Sequence, residues 1–250
     1  DAIDRLGFST GWVRPDGLPF ARSTPSLTSG EILYPPRLDE AGTDLPDSYE
    51  IAFTGTQPNG TLLADKYTCG GWNGESGNMG LVGALSGGTE AWTFAFFLDC
   101  IGSAHILCMG TSKFAYVPHT PQAGRSAFIS EGLFYSGEGS DAAHAMCQDE
   151  ASAAGIDGEF MALIATQADP AASHFGEGDQ WIRPDGVVVI PDPSAFINGS
   201  GSTLQAPINQ TASGAYIGME QAWTGAPTPT TSATMATSCD DWYSNLNADS

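Results

Sequence analysis

Basic residues are the scarcest feature of this chain. Lysine plus arginine number 8, and two of these are lysines, against 29 Asp plus Glu. The net charge of −21 argues against nucleic acid as a partner, because its phosphates would be repelled. It argues equally against an anionic membrane surface. No apolar run is long enough to span a bilayer, so membrane insertion is not expected. Catalytic signatures are missing too. There is no Gly-x-Ser-x-Gly and no His-Glu-x-x-His, which leaves no candidate catalytic residue. No Cys-x-x-Cys or histidine spacing suits zinc, and no Asp-x-Asp-x-Asp-Gly loop suits calcium. The histidines His105, His119, His144 and His174 are scattered; His105 falls on an expected buried strand and reads as structural. Chance pairs of carboxylates are expected among 29 acids, so they carry no weight for glycoside hydrolysis. The expectation is a protein that is not an enzyme and needs no cofactor.

At 250 residues the chain could hold one large domain or two small ones, and an apolar fraction of 41% is enough for a core. Gly 31 and Pro 16 suit a loop-rich fold of short strands. Five cysteines beside so few lysines look extracellular rather than cytosolic. Glycosylation sequons stand at Asn59, Asn198 and Asn209, each among turn formers. The chain starts at Asp and shows no signal peptide, which reads as a processed mature form or a fragment.

The chain also repeats itself. Trp12-Val13-Arg14-Pro15-Asp16-Gly17 returns as Trp181-Ile182-Arg183-Pro184-Asp185-Gly186, 169 residues later. Phe53-Thr54-Gly55 matches Trp223-Thr224-Gly225, Cys69 matches Cys239, and Trp72 matches Trp242, each 170 residues apart. Four anchors in one order at one spacing mark an internal repeat of domain size, too long for a solenoid unit. Recurrence changes how the six-residue stretch is read. Arg14 and Arg183 are expected to pair locally with carboxylates rather than to bind a ligand. Asp16 and Asp185 are expected to be turn residues rather than catalytic acids.

Along the chain, Pro-Asp-Gly predicts a tight turn between two short strands, with Trp12 and Phe20 packed on the core. Residues 25–48 read as loop, 49–56 as a strand, 57–60 as a turn, and the Gly-rich 73–90 as a long surface loop. Further strands are expected at 91–98, 104–109, 159–165, 187–190 and 215–225, and a strand or hairpin at 126–135. Loops are expected at 192–214 and 226–238, the latter a Pro/Thr/Ser tract suited to O-glycosylation. One clear helix is expected at 140–154. Ser140 is its N-cap, Asp141 suits its first turn, Ala143, Cys147, Ala151 and Ala154 form a small-residue stripe, and Gly155 stops it. The fold class is α+β: mixed, loop-rich and strand-dominated, with that one helix.

The run from Cys147-Gln148 through Ala151, Ala154-Gly155, Gly158 and Phe160 to Ala162 resembles the helix-to-strand segment of endostatin. It is closer still to bacterial endostatin-like, C-type-lectin-like domains. Phe128-Ile129-Ser130, Tyr135-Ser136-Gly137, Asp141, Pro184-Asp185-Gly186, Trp223-Thr224-Gly225 and Cys239-Asp240-Asp241-Trp242 stand in matching places, and Cys100 and Cys108 resemble the family's two late cysteines. The resemblance implies a C-type-lectin-like fold present about one and a half times. Residues 1–113 form a unit with a middle and an end but no start. Residues 114–124 connect, and 125–250 form a unit with a start and a middle but no end. Either the chain is part of a longer tandem protein, or start and end combine into one circularly permuted domain, 1–167, with 168–250 as an added lobe. The family's pairing implies a Cys69–Cys100 disulfide and, in the permuted arrangement, Cys108–Cys147. Cys239 is left unpaired or intermolecular. Gln57-Pro58-Asn59 looks close to the calcium-site motifs of sugar-binding lectins, although endostatin-like proteins carry a similar Pro-Asn-Gly without that role. Endostatin's zinc-binding N-terminal histidines have no counterpart. The expected protein is a secreted, non-catalytic structural or adhesive module of the cell surface. It would assemble with copies of itself or other extracellular proteins into an array or filament. A calcium-dependent carbohydrate-binding module, with glycans as partners, is the alternative, and a glycan-cleaving enzyme the third reading.

Overall fold

The repeated Pro-Asp-Gly turns each close a hairpin. In the computed structural model, which describes all residues except 46–49, 75–77, 200–203, 219–220 and 245–250, β1 (Thr10–Val13) pairs antiparallel with β2 (Pro19–Ser23). The second hairpin pairs β8 (Trp181–Ile182) with β9 (Val188–Ile190). Both ladders slip register directly after the tryptophan, at Trp12/Val13 and Trp181/Ile182. A turn set by Pro and a positive-φ Gly, followed by a matching bulge, is a local device, so it forms twice.

The chain divides into two compact units: Asp1–Pro121 with Tyr216–Met219, and Gln122–Ala215 with Glu220–Ser250. The division falls inside the expected connector. Residues 125–167 belong to the second of these units. The architecture is mixed α+β, strand-rich, with few helices and open sheets.

In the first unit, the short helices α1 (Ala2–Leu6) and α2 (Thr24–Thr28) flank the hairpin. The Ser23 hydroxyl caps α2 by accepting from the Ser26 N–H. A four-stranded sheet runs in the order β5 (Phe96–Asp99), β4 (Met79–Ala84), β3 (Ile51–Phe53), β6 (His105–Ile106), with β6 parallel to β3. Trp12, Phe20, Ala21, Leu27, Ile32 and Trp92 form the core.

Strand β4 runs through the surface loop expected at 73–90, of which residues 75–77 lie outside the described residues. Its glycines mark close approach, not flexibility: a Cβ on Gly83 would lie 2.0 Å from the Trp92 carbonyl oxygen. The strand expected at 91–98 begins only at Phe96, because residues 90–93 form a turn. The strand expected at 104–109 shrinks to two residues. His105 on it is exposed, an edge position rather than a buried structural one.

In the second unit, β7 (Arg125–Ser126) joins β8 and β9 in a three-stranded sheet. Helix α3 (Ser140–Ala153) is the long helix expected, but Gly139 is its N-cap and Ser140 its first residue. Helix α4 (Pro193–Ile197), capped by the Asp192 carboxylate, interrupts the loop expected at 192–214. It sits 169 residues beyond α2, where Asp192 takes the place of Ser23. Among the described residues of the strand expected at 215–225, Tyr216 makes an isolated bridge and no ladder forms; residues 219–220 lie outside the described residues. The core groups Trp181, Val189 and Ile190 with Phe175 and Phe196. Each has a core counterpart 169 residues earlier: Trp12, Phe20, Ala21, Leu6 and Leu27.

Candidate functional site

The Arg-Pro-Asp-Gly turns are buried scaffolds. Arg183 is 0% exposed and Arg14 is buried. Each guanidinium grips the Asp two residues on, with Nε 3.2 Å from Oδ1 in both copies and the second nitrogen on Oδ2. The same Asp oxygen accepts the N–H that follows the turn, from Leu18 in one copy and Val187 in the other, at 3.1 Å. Burial alone would raise the Asp16 pKa. The Arg14 fork and the Leu18 N–H outweigh it and hold the carboxyl below its ordinary value. The local pairing expected for both arginines is what the structure has. The remaining donor differs: Arg14 reaches the Pro35 carbonyl, and Arg183 reaches Asn209 Oδ1 at 2.5 Å.

Downstream, each unit makes a left-handed turn. Cys69, Gly70, Gly71 and Trp72 have φ of 52, 66, 70 and 68°; Cys239, Asp240, Asp241 and Trp242 have 49, 56, 52 and 68°. Thr68 Oγ1 accepts from Gly71 N in the first, and Ser238 Oγ accepts from Asp241 N in the second. Each turn presents its tryptophan edge-on to an aromatic, Phe53 at 5.9 Å and Trp223 at 6.0 Å. Behind each ring lies a glycine whose Cβ would come within 2.9 Å of Cζ2, Gly55 and Gly225.

The two tryptophans differ in what covers them. Trp242 is 0% exposed, while Trp72 is 49% exposed. Trp242 packs with Ala143, Ile164, Phe134 and Ala162, and its indole N–H donates to the Ala165 carbonyl at 3.0 Å. Among the described residues, Trp72 has no such acceptor. It borders instead an apolar groove of about 560 Å3, lined by Phe53, Trp92, Ile106, Leu107 and Met109 and edged by Ala2, Thr54 and Thr56.

The cover over Trp242 is an extended segment, 159–165, without a strand ladder. Helix side chains hold it: Gln148 Oε1 accepts from Phe160 N at 2.9 Å, and His144 Nδ1 accepts from Ala162 N at 3.1 Å. Four helical residues rise about 6 Å and two extended residues about 6.6 Å, so acceptors at i and i+4 match alternate N–H groups. This explains why the strand expected at 159–165 is extended yet unpaired. Burial and the neighbouring His174 ring, 5.6 Å away, lower the His144 pKa, which suits an accepting, neutral imidazole. One turn on, burial and the Glu150 charge push the Cys147 thiol up to about 11, leaving it a poor nucleophile.

Cys69 and Cys100 form a disulfide. Cys108, Cys147 and Cys239 carry free thiols, and the two cysteines of the bridge implied by the resemblance, Cys108 and Cys147, belong to different units. Cys108 is exposed in the first unit, whereas Cys147 is half-buried on α3 of the second. Asn59 is exposed, with its Oδ1 accepting from the Thr61 N–H and hydroxyl. Gln57 Nε2 donates to Thr61 Oγ1 and the Leu62 carbonyl, so this loop spends its polar groups on itself. Asn198 is exposed, and residue 200 of its sequon lies outside the described residues. Asn209 is no open acceptor: it is 7% exposed and bound to Arg183. Among the described residues, no three His, Cys, Asp or Glu side chains cluster as a metal site. None of the helices described is long and apolar enough to cross a membrane.

No protein-family model, curated protein or solved structure matches this chain. The site is therefore defined by the molecule's own repetition: one framework, covered in one unit and open in the other.

Proposed function

We propose that the protein is a secreted, non-catalytic structural or adhesive module of the endostatin-like, C-type-lectin-like kind. It works by associating with copies of itself or with other extracellular proteins. The observation that carries this reading is the open framework of the first unit, where an aromatic that is fully buried in the second unit faces solvent. Large apolar side chains elsewhere on that unit, Phe8, Ile101, Phe114 and Tyr116, are also exposed. Exposed apolar surface of this extent marks contact with another macromolecule. The high negative charge keeps such a surface soluble until its partner arrives. The free Cys239 supplies a thiol for covalent linkage. The calcium-lectin alternative gains nothing from the Gln57-Pro58-Asn59 loop, whose polar groups are internally bonded.

Sedimentation of the purified chain across a wide concentration range tests this reading, run alongside non-reducing electrophoresis. Reversible mass-dependent association is expected, with a covalent fraction lost in Cys239→Ser. A chain that stays monomeric at high concentration, and binds no extracellular protein surface, overturns it.

A further inference from the structure

The groove beside Trp72 has a mirror within the same molecule. In the second unit, the segment Leu163-Ile164-Ala165 lies against Ala171, Ala226, Thr224 and Trp242. The counterparts of these four residues, at the repeat spacing, are Ala2, Thr56, Thr54 and Trp72. All four line the open groove of the first unit. The frameworks under the two sites agree in detail: the left-handed turn, the edge-on aromatic pair and the glycine behind the ring. What differs is the cover.

We infer that the groove between Ala2 and Trp72 is a docking site for a second helix-and-strand segment of the 133–166 type. The occupant is an apolar extended strand of the Ala-Leu-Ile-Ala kind, backed by a helix whose side chains hold its alternate N–H groups. Its placement follows from the bonds in the covered copy. There, Ala165 N donates to the Thr224 carbonyl at 2.9 Å, and the Ala165 carbonyl accepts from the Trp242 indole. In the open copy, the Thr54 carbonyl and the Trp72 indole N–H offer the same acceptor and donor. The Thr54 carbonyl accepts the Thr56 hydroxyl and retains a second lone pair. Residues 133–166 of the same chain already cover Trp242, so the occupant is a further copy of this segment, presented by a neighbouring repeat. This deepens the associative reading above by naming the surface and its ligand.

The test grafts residues 125–169 directly ahead of Asp1 in the full chain, which reproduces the repeat's own spacing. Hydrogen exchange of the Trp72 indole N–H and acrylamide quenching of its fluorescence, isolated by difference against Trp72→Phe, are the readouts. Occupancy predicts at least about tenfold slower exchange and loss of the quencher-accessible component. The same graft carrying Ile164→Asp should restore both to the ungrafted values. Unchanged exchange and quenching in the graft overturn the inference. Sedimentation separates this from the wider proposal. A protected Trp72 in a chain that never associates leaves the groove assignment standing and removes the associative function. An associating chain with an unprotected graft does the reverse.

Discussion

The two units share a hairpin, a buried Arg–Asp turn, a left-handed turn and a tryptophan, yet they are finished differently. In the second unit a helix and an extended segment seal Trp242. In the first, Trp72 borders an open groove lined in part by Phe53 and Ile106 of the four-stranded sheet, and a disulfide ties the turn's Cys69 to Cys100. The lesson is that the framework, not its cover, is the self-sufficient element. Its bonds are local or nearly so: Arg to Asp at i+2, a hydroxyl to the N–H three residues on, a glycine under a ring. The covers differ because they come from chain segments that only one unit contains.

The sharpest way to break the comparison is at the tryptophans. Trp242→Ala removes a fully buried side chain and should cost roughly 3–5 kcal/mol. Trp72→Ala, half exposed, should cost about 1 kcal/mol. Denaturant melts that give equal losses would refute the covered-versus-open distinction. Next in size is the Cys69–Cys100 link, whose sequence separation is 31. Its loss in a Cys69→Ser, Cys100→Ser variant should cost about 3–4 kcal/mol by loop entropy. Hydrogen exchange should place the damage in the first unit and leave the second unchanged.

Acid should act on the second unit. Burial and His174 hold the His144 pKa below its ordinary 6.5, so the unfolded chain takes up the proton first. Its contribution is then complete above about pH 6.5 and is lost as pH falls through the lower folded value. Asp141, the nearby carboxylate, opposes this shift without reversing it. In His144→Gln, whose side-chain oxygen can still accept from Ala162, melts of the second unit should lose this part of the pH dependence. An unaltered profile would remove His144 from the account. The smallest expected effect concerns the left-handed turn. Asp240 is exposed at φ 56°, where the first unit has Gly70. Asp240→Gly should stabilise the second unit by about 0.5–1 kcal/mol, and a measured loss would mean the carboxylate has an unrecognised partner.

Much of this was readable from residue order. The Arg-Pro-Asp-Gly hairpins, the local pairing of Arg14 and Arg183, the long helix and its Gly155 stop follow from turn chemistry and periodicity, which act over a few residues. The recurrence of Trp12 as Trp181 marks the framework in the sequence itself. Strand β4 is not legible in the sequence because glycine signals a loop in one context and a tight crossing in another, and the Trp92 carbonyl that decides the matter sits nine residues beyond Gly83. The segment 159–165 was expected to be a strand. Its extended form follows from its own composition, but its partners are the side chains of Gln148 and His144, which no strand pattern displays.

The sequence by itself determined that one framework occurs twice and that each copy would fold its arginine and aspartate into a turn. Only the tertiary structure decided which tryptophan is sealed, that Asn209 is buried against Arg183, and that Cys69 meets Cys100. The reason is range. Turns and caps are settled between neighbours, whereas burial and thiol pairing depend on which distant segment reaches a given surface.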